Sequence, residues 1–180
     1  MDRIALDIMG PLPETSIGNK YILVIGDYFT KWTEAFALPN QDAIAVASVL
    51  VEDIICRFGV PRQIHSDKGT QFESEIFQEI CRLLGIEKTR TTAYHPQSDG
   101  MVERFNRTLA AMLSVYVNEY QDNWDEHLPY LTMAYRAAIQ ESTNFTPNFL
   151  MLGREVTVPL DIQFGRPPDT YYRNEWVENL

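Results

Sequence analysis

The chain has 180 residues, 45% of them hydrophobic and 22% charged, with a formal net charge of −10. That length suits one domain with a sizeable core, and no apolar run approaches the ~18 residues of a membrane span. The acidic balance argues against a nucleic-acid partner for this segment acting alone, because such binders usually present a basic face, unless carboxylates gather around metal ions or basic flanks lie elsewhere.

The N-terminal Met-Asp-Arg-Ile-Ala-Leu-Asp lacks the charged start and apolar core of a signal peptide. Arg3 to Met9 alternates, with Ile4, Leu6 and Ile8 on one side and Arg3, Ala5, Asp7 and Met9 on the other. This predicts a strand that carries one carboxylate on a face of otherwise small or apolar groups. Gly10-Pro11-Leu12-Pro13 ends it. Tyr21 to Ile25 is continuous β-former, as in a central strand covered on both faces. Glu34 to Leu38 reads as a third strand, so an antiparallel meander is expected.

The period then changes to helical. Ala43, Val46, Ala47, Leu50, Val51, Ile54 and Ile55 mark one apolar face, stopped by Gly59-Val60-Pro61. Pro61 to Ser66 is a short strand ending at Asp67. Ile76, Phe77, Ile80, Leu83 and Leu84 outline a second helical face before Gly85, and Ile86 to Thr91 a fifth strand. Strand–helix–strand implies a parallel crossover, hence a mixed sheet. Cys56 and Cys81 fall within the helical patterns, not in a Cys-x-x-Cys pair, so a reduced intracellular protein with both thiols buried is expected. A polar loop, Ala93 to Gly100, then runs into a helix whose face is Val102, Phe105, Leu109, Met112 and Tyr116. Another helix is predicted over 124–138, and the Pro-, Gly- and Asn-rich tail from Thr143 reads as irregular. Residues 1–164 are expected to form one core domain and 165–180 an extended end.

Asp7 in the first strand, Asp67 after the fourth and Glu103 at a helix start are the candidate site. A crossover pairing strands one and four would bring Asp7 beside Asp67, and sites in open sheets gather at the carboxyl ends of strands. Carboxylate oxygens are the hard ligands of Mg²⁺ and Mn²⁺, and two such ions promote phosphoryl transfer. Singly, each residue has an ordinary reading. Asp7 can bond backbone, Asp67 can make an Asx turn, and Glu103 can pair with Arg107 one turn on. Trp32 and Trp124 read as packed, Asp27 as no part of the site, and Asp125, Glu126 and His127 as an acidic helix start.

Longer motifs separate these readings. Leu6-Asp7-Ile8-Met9-Gly10-Pro11-Leu12-Pro13, His65-Ser66-Asp67-Lys68-Gly69-Thr70-Gln71-Phe72, and Thr92 to Gly100 followed by Glu103-Arg104-Phe105-Asn106-Arg107 occur in order. Thirty-five residues lie between Asp67 and Glu103 (103 − 67 − 1). From Asp2 to about Asp161 the chain resembles the catalytic core of retroviral and long-terminal-repeat retrotransposon integrases, above all the Ty3/gypsy group with its D-D-35-E spacing. Trp124, Leu128-Pro129, Ala134-Tyr135, Thr146-Pro147 and Gly153-Arg154 resemble later landmarks of that group.

The resemblance implies a ribonuclease H-like α/β fold, a five-stranded mixed sheet flanked by helices. It implies a polynucleotidyl transferase that trims the 3′ ends of element DNA and joins them to target DNA, with Asp7, Asp67 and Glu103 as catalytic residues. Two Mg²⁺ or Mn²⁺ ions are implied, one on Asp7 and Asp67 and the other on Asp7 and Glu103. Tyr94, His95 and Gln97 would belong to a DNA-contacting loop, His95 serving equally well to fix that loop by a hydrogen bond. Asn106 and Arg107 would meet DNA or form an exposed polar helix face. DNA and further copies of the chain, as a dimer or tetramer, would be the partners. Action in the nucleus, no membrane, and membership of a larger polyprotein are also implied. The family's zinc domain and C-terminal DNA-binding domain find no counterpart here, since three histidines and two separated cysteines cannot supply a His₂Cys₂ site. An excised core is therefore expected. The competing expectations are a domesticated integrase-derived binding or scaffolding protein without catalysis, and a ribonuclease H-like nuclease that cuts without joining.

Overall fold

The structure, a computed structural model, describes residues 1–90 and 100–165. Five strands form one sheet: β1 (Arg3–Met9), β2 (Tyr21–Asp27), β3 (Thr33–Leu38), β4 (Gln63–Ser66) and β5 (Glu87–Arg90). Their order is β3-β2-β1-β4-β5. β1–β2 and β2–β3 are antiparallel, whereas β1–β4 and β4–β5 are parallel. The mixed sheet expected from the strand–helix–strand crossover is present. The last paired position of β1 and β4 is Leu6 with Ser66, so the next residue on each strand is a carboxylate, Asp7 or Asp67.

Alternation along the strands divides the core in two. Ile4, Leu6, Leu23, Ile25 and Ile64 pack against α1 (Ala43–Val49) and α3 (Glu75–Leu83) through Val46, Leu50, Phe77 and Cys81. Ala5, Ile22 and Val24 pack against α4 (Gly100–Tyr116) and α5 (Trp124–Arg136) through Val102, Phe105, Leu109, Trp124 and Leu128. Each fully buried Leu, Ile or Phe here contributes roughly 1.5–3 kcal/mol. The period of two places Asp7 with Ala5, and His65 with its cross-strand partner Ala5, on the α4 face. The sheet thus turns its carboxylate toward the helix that carries Glu103.

Several local expectations are corrected. α1 is capped by the Asp42 carboxylate, which accepts the Ala45 N–H at 2.8 Å, but it passes into a π-helical turn (Leu50–Ile55) before α2 (Cys56–Phe58). Gly59, at φ 86°, stops it as predicted. Val46, Ala47, Leu50 and Ile54 of the predicted face are buried, but Cys56, expected to be buried, is exposed, while Cys81 is buried. In α3 one row, Phe77 and Cys81, points inward; Ile76, Leu83 and Leu84 are exposed. The helix after Trp124 ends at Arg136. The tail from Thr143 is not irregular throughout, because it contains α6 (Pro147–Leu152) and α7 (Pro159–Phe164). Thr146 Oγ1 caps α6 by accepting the Phe149 N–H at 3.0 Å, Pro147 starts it, and Gly153 closes it at φ 70°. Trp32 and Trp124 are packed as expected, their indole N–H groups donating to Glu34 and to the Pro13 carbonyl.

Candidate active site

Asp7, Asp67 and Glu103 line a single cavity of about 190 Å³ with Ala5, Leu6, His65 and Val102. Asp7 is half-buried, whereas Asp67 and Glu103 are exposed. Two bonds hold the Asp7 carboxylate: Oδ1 accepts the Ile8 N–H at 2.9 Å, and Oδ2 accepts the Asn106 side-chain amide at 2.7 Å. Asp67 makes the anticipated Asx turn, Oδ1 accepting the Gly69 N–H at 2.9 Å. A Cβ on Gly69 would collide with the Gln71 side-chain amide and lie 3.0 Å from that same oxygen, so a larger residue here would displace Gln71 and crowd Asp67. Glu103 sits in the first turn of α4, near the positive end of its dipole.

His65, only 4% exposed, forms part of the cavity wall. Its Nδ1 lies 2.9 Å from Thr89 Oγ1, and that hydroxyl donates to the Ile64 carbonyl at 3.3 Å. The Tyr28 ring meets the imidazole edge-on at 6.4 Å between centroids.

A family model described as the integrase core domain matches residues 2–96. The chain belongs to the integrase core family. It is 31% identical over 158 residues, 88% of its length, to the Retrovirus-related Pol polyprotein from transposon 412 of Drosophila melanogaster. It spans 13% of that relative, 8% of the Gag-Pol polyprotein of Walleye dermal sarcoma virus and 12% of that of Avian reticuloendotheliosis virus. Among solved structures, the catalytic core domain of BIV integrase superposes with a TM-score of 0.65 at 26% identity, covering 84% of this chain and 94% of that one. The HTLV-2 integrase catalytic core domain in complex with magnesium shares the fold, with a TM-score of 0.62 at 20% identity, over 81% of this chain and 92% of that one. The fold of this integrase core is therefore the ribonuclease H-like one its motifs suggested.

The residues around the cavity fit a hard divalent cation by donor type, since all three acidic side chains offer oxygen. A further oxygen, Asn106 Oδ1, is buried beside Asp7 and has no hydrogen-bond partner among the described residues. Among the described residues no three acidic, histidine or cysteine side chains converge into a ready cage. The cavity therefore supplies a lining of suitable ligands, with Asp67 and Glu103 exposed enough to adjust. Asn106 was expected to meet DNA or to form an exposed polar helix face; its side-chain amide donates to Asp7. The signal for this was in the sequence, because Asn106 lies three residues after Glu103 and shares its helix face. His65 was not foreseen, although it stands two residues before Asp67 on the same face of β4. Arg107 is exposed and borders a separate cavity of about 540 Å³ with Thr108, Ala111, Met112, Val115 and Tyr116. Tyr94, His95 and Gln97 lie outside the described residues.

Proposed function

We propose that this integrase core is the catalytic part of a larger polyprotein that integrates element DNA, trimming 3′ ends and transferring them to a target strand. The observation that carries this reading is the shared cavity of Asp7, Asp67 and Glu103, drawn from β1, the end of β4 and the start of α4. Asp7 with Asp67, and Asp7 with Glu103, would hold two Mg²⁺ or Mn²⁺ ions. Bound there, the ions would act as Lewis acids on phosphoryl oxygens of an in-line displacement.

The chain's own residues do the positioning. The parallel β1–β4 ladder sets Asp7 and Asp67 side by side at the strand ends. Asn106 and the Ile8 N–H fix the Asp7 carboxylate from two sides, which orients a ligand that both ions would share. The Gly69 N–H keeps Asp67 turned back over its own loop. Arg107, one turn beyond Glu103, offers a cation to a DNA phosphate, and Tyr94, His95 and Gln97 extend the DNA contact. Integration takes place on nuclear DNA, with copies of the chain assembled on it as a dimer or tetramer.

The test is DNA strand joining and its reversal on a branched oligonucleotide in Mn²⁺, comparing the chain with Glu103→Gln. Activity lost in the variant with the fold retained supports the assignment. Joining unaffected by Glu103→Gln overturns it. Absence of both joining and carboxylate-dependent Mn²⁺ binding in the parent chain would favour a domesticated, non-catalytic scaffold.

A further inference from the structure

The turn between β2 and β3 is built with unusual care for a segment that ends in solvent. Asp27 is 1% exposed, and its Oδ2 accepts from both the backbone N–H and the hydroxyl of Thr30, at 2.8 and 2.7 Å. Thr30 Oγ1 in turn accepts the Trp32 N–H at 3.1 Å. The Asp27 and Lys31 backbones bond across the turn, and Lys31 takes a left-handed φ of 62° with its ammonium on the Tyr28 carbonyl. What this framework presents is Phe29, 77% exposed. Fixing an apolar ring in water does nothing for folding; a preorganised ring is useful to something that binds it.

The charges around the turn point to what that is. Acidic residues outnumber Lys and Arg by 25 to 15, so carboxylate partners are plentiful. Among the described residues, Arg3, Lys31, Lys68, Arg104, Arg107 and Arg154 nevertheless make no ion pair, whereas every other described Lys or Arg reaches a carboxylate. Five of those six lie in or against the turn, or within four residues of a cavity carboxylate in the sequence. Lys68 follows Asp67, Arg104 follows Glu103, and Arg107 is one turn on. The Arg3 guanidinium lies 4.3 Å from the centre of the Tyr28 ring, which itself touches His65 of the cavity wall. Burial, and then the nearby Arg104 guanidinium, hold the Lys31 ammonium below the usual lysine range, with Asp27 pulling the other way. Two cations left close together in an acidic chain form a site that an incoming anion would relieve.

We propose that the β2–β3 turn is a nucleotide platform, on which Phe29 stacks against an unpaired base of the DNA while Arg3, Lys31 and Arg104 take the adjoining phosphates. An exposed aromatic flanked by cations is the combination that binds single-stranded nucleic acid without reading sequence. A trimmed or frayed DNA end supplies such a base beside the carboxylate cavity. The proposal rests on the DNA reading above.

The experiment uses a duplex with a short single-stranded end, in which 2-aminopurine replaces each unpaired base in turn. One position is expected to be quenched on binding. Phe29→Ala should abolish that quenching and weaken binding roughly 5- to 100-fold, while Phe29→Trp should preserve both. Lys31→Gln and Arg104→Gln should each reduce the salt dependence of binding by about one phosphate contact, and Arg154→Gln should leave it unchanged. Unaltered quenching and affinity in a folded Phe29→Ala protein would overturn the platform. So would self-association of the chain that disappears in Phe29→Ala, since the ring would then belong to a protein contact. Strand joining by the same preparations separates the two readings. Joining that needs Asp67 but ignores Phe29 rejects the platform alone, whereas a parent chain that binds no DNA at low salt rejects both.

Discussion

Glu34 and the Asp7–Asp67–Glu103 cavity treat charge in opposite ways. Glu34 is 7% exposed. It accepts the Trp32 indole N–H at 3.0 Å, the Arg136 guanidinium at 2.7 Å and Arg57 at 3.4 Å. Arg136 also stacks on Trp32, 4.5 Å from the ring centre, so α5 is bolted to β3 by a closed set of partners. In the cavity, Asp67 and Glu103 are exposed and form no ion pair among the described residues. Charge that serves the fold is matched inside the fold. The charge of the cavity faces outward, open to what arrives.

The contrast is most directly broken at the cavity. Asp67→Asn should reduce strand joining by on the order of 1,000-fold or more, because a ligand to a catalytic cation carries several kcal/mol of transition-state stabilisation. Its thermal midpoint should hardly move, and a large drop in that midpoint would show that Asp67 is structural instead. Glu34→Gln should do the reverse, costing about 3–5 kcal/mol in urea denaturation because Arg136 is left buried without its carboxylate. Pairing it with Arg136→Met should recover much of the loss; no recovery would mean that packing, not charge, secures α5. Asn106→Ala tests the boundary between the two regions. Calorimetric Mn²⁺ titration should show affinity weaker by roughly 10- to 100-fold, with little change in stability, since one of its polar atoms is already unsatisfied.

The smallest effect is expected at Glu73, which takes Lys88 and Arg90 at 2.8 and 3.0 Å. The Lys88 hydrogen bond, aided by the charges of Lys88, Arg90 and Lys68, holds its carboxyl below the usual glutamate range. The group gives stability above the unfolded value of 4.5 that is lost as pH falls through the lowered folded value. Glu73→Gln should therefore flatten the acid limb of the stability profile slightly. An unchanged acid limb would show that exposure screens the pair completely.

Much of this was legible because the relevant signals are local. A period of two defined β1 and set Asp7 on the right face, a continuous apolar run defined β2, and the apolar spacing of Val102, Phe105 and Leu109 set α4. The carboxylate motifs were legible as words and spacing. Less legible were features that need a third dimension. The π turn at Leu50–Ile55 has the same composition as ordinary helix, and Cys56, which lies off the apolar face of that segment, is exposed. Asn106 looked like a surface amide until β1 supplied its partner 99 positions away. Helix α6 was missed although Thr146, Pro147 and Gly153 are its start and stop, because a proline-rich composition was given more weight than the order of those residues.

The sheet ends, at one side, in β5, which has four residues, Glu87, Lys88, Thr89 and Arg90. A strand that short, with three charged side chains, makes a poor template for another backbone. If copies of this chain gather on DNA as proposed, β5 gives them little means of extending one sheet into the next. Contacts made by side chains away from β5 can then be strengthened or weakened without disturbing the ladder that aligns Asp7 with Asp67. The blunt edge at this side would keep association apart from the arrangement of the cavity carboxylates.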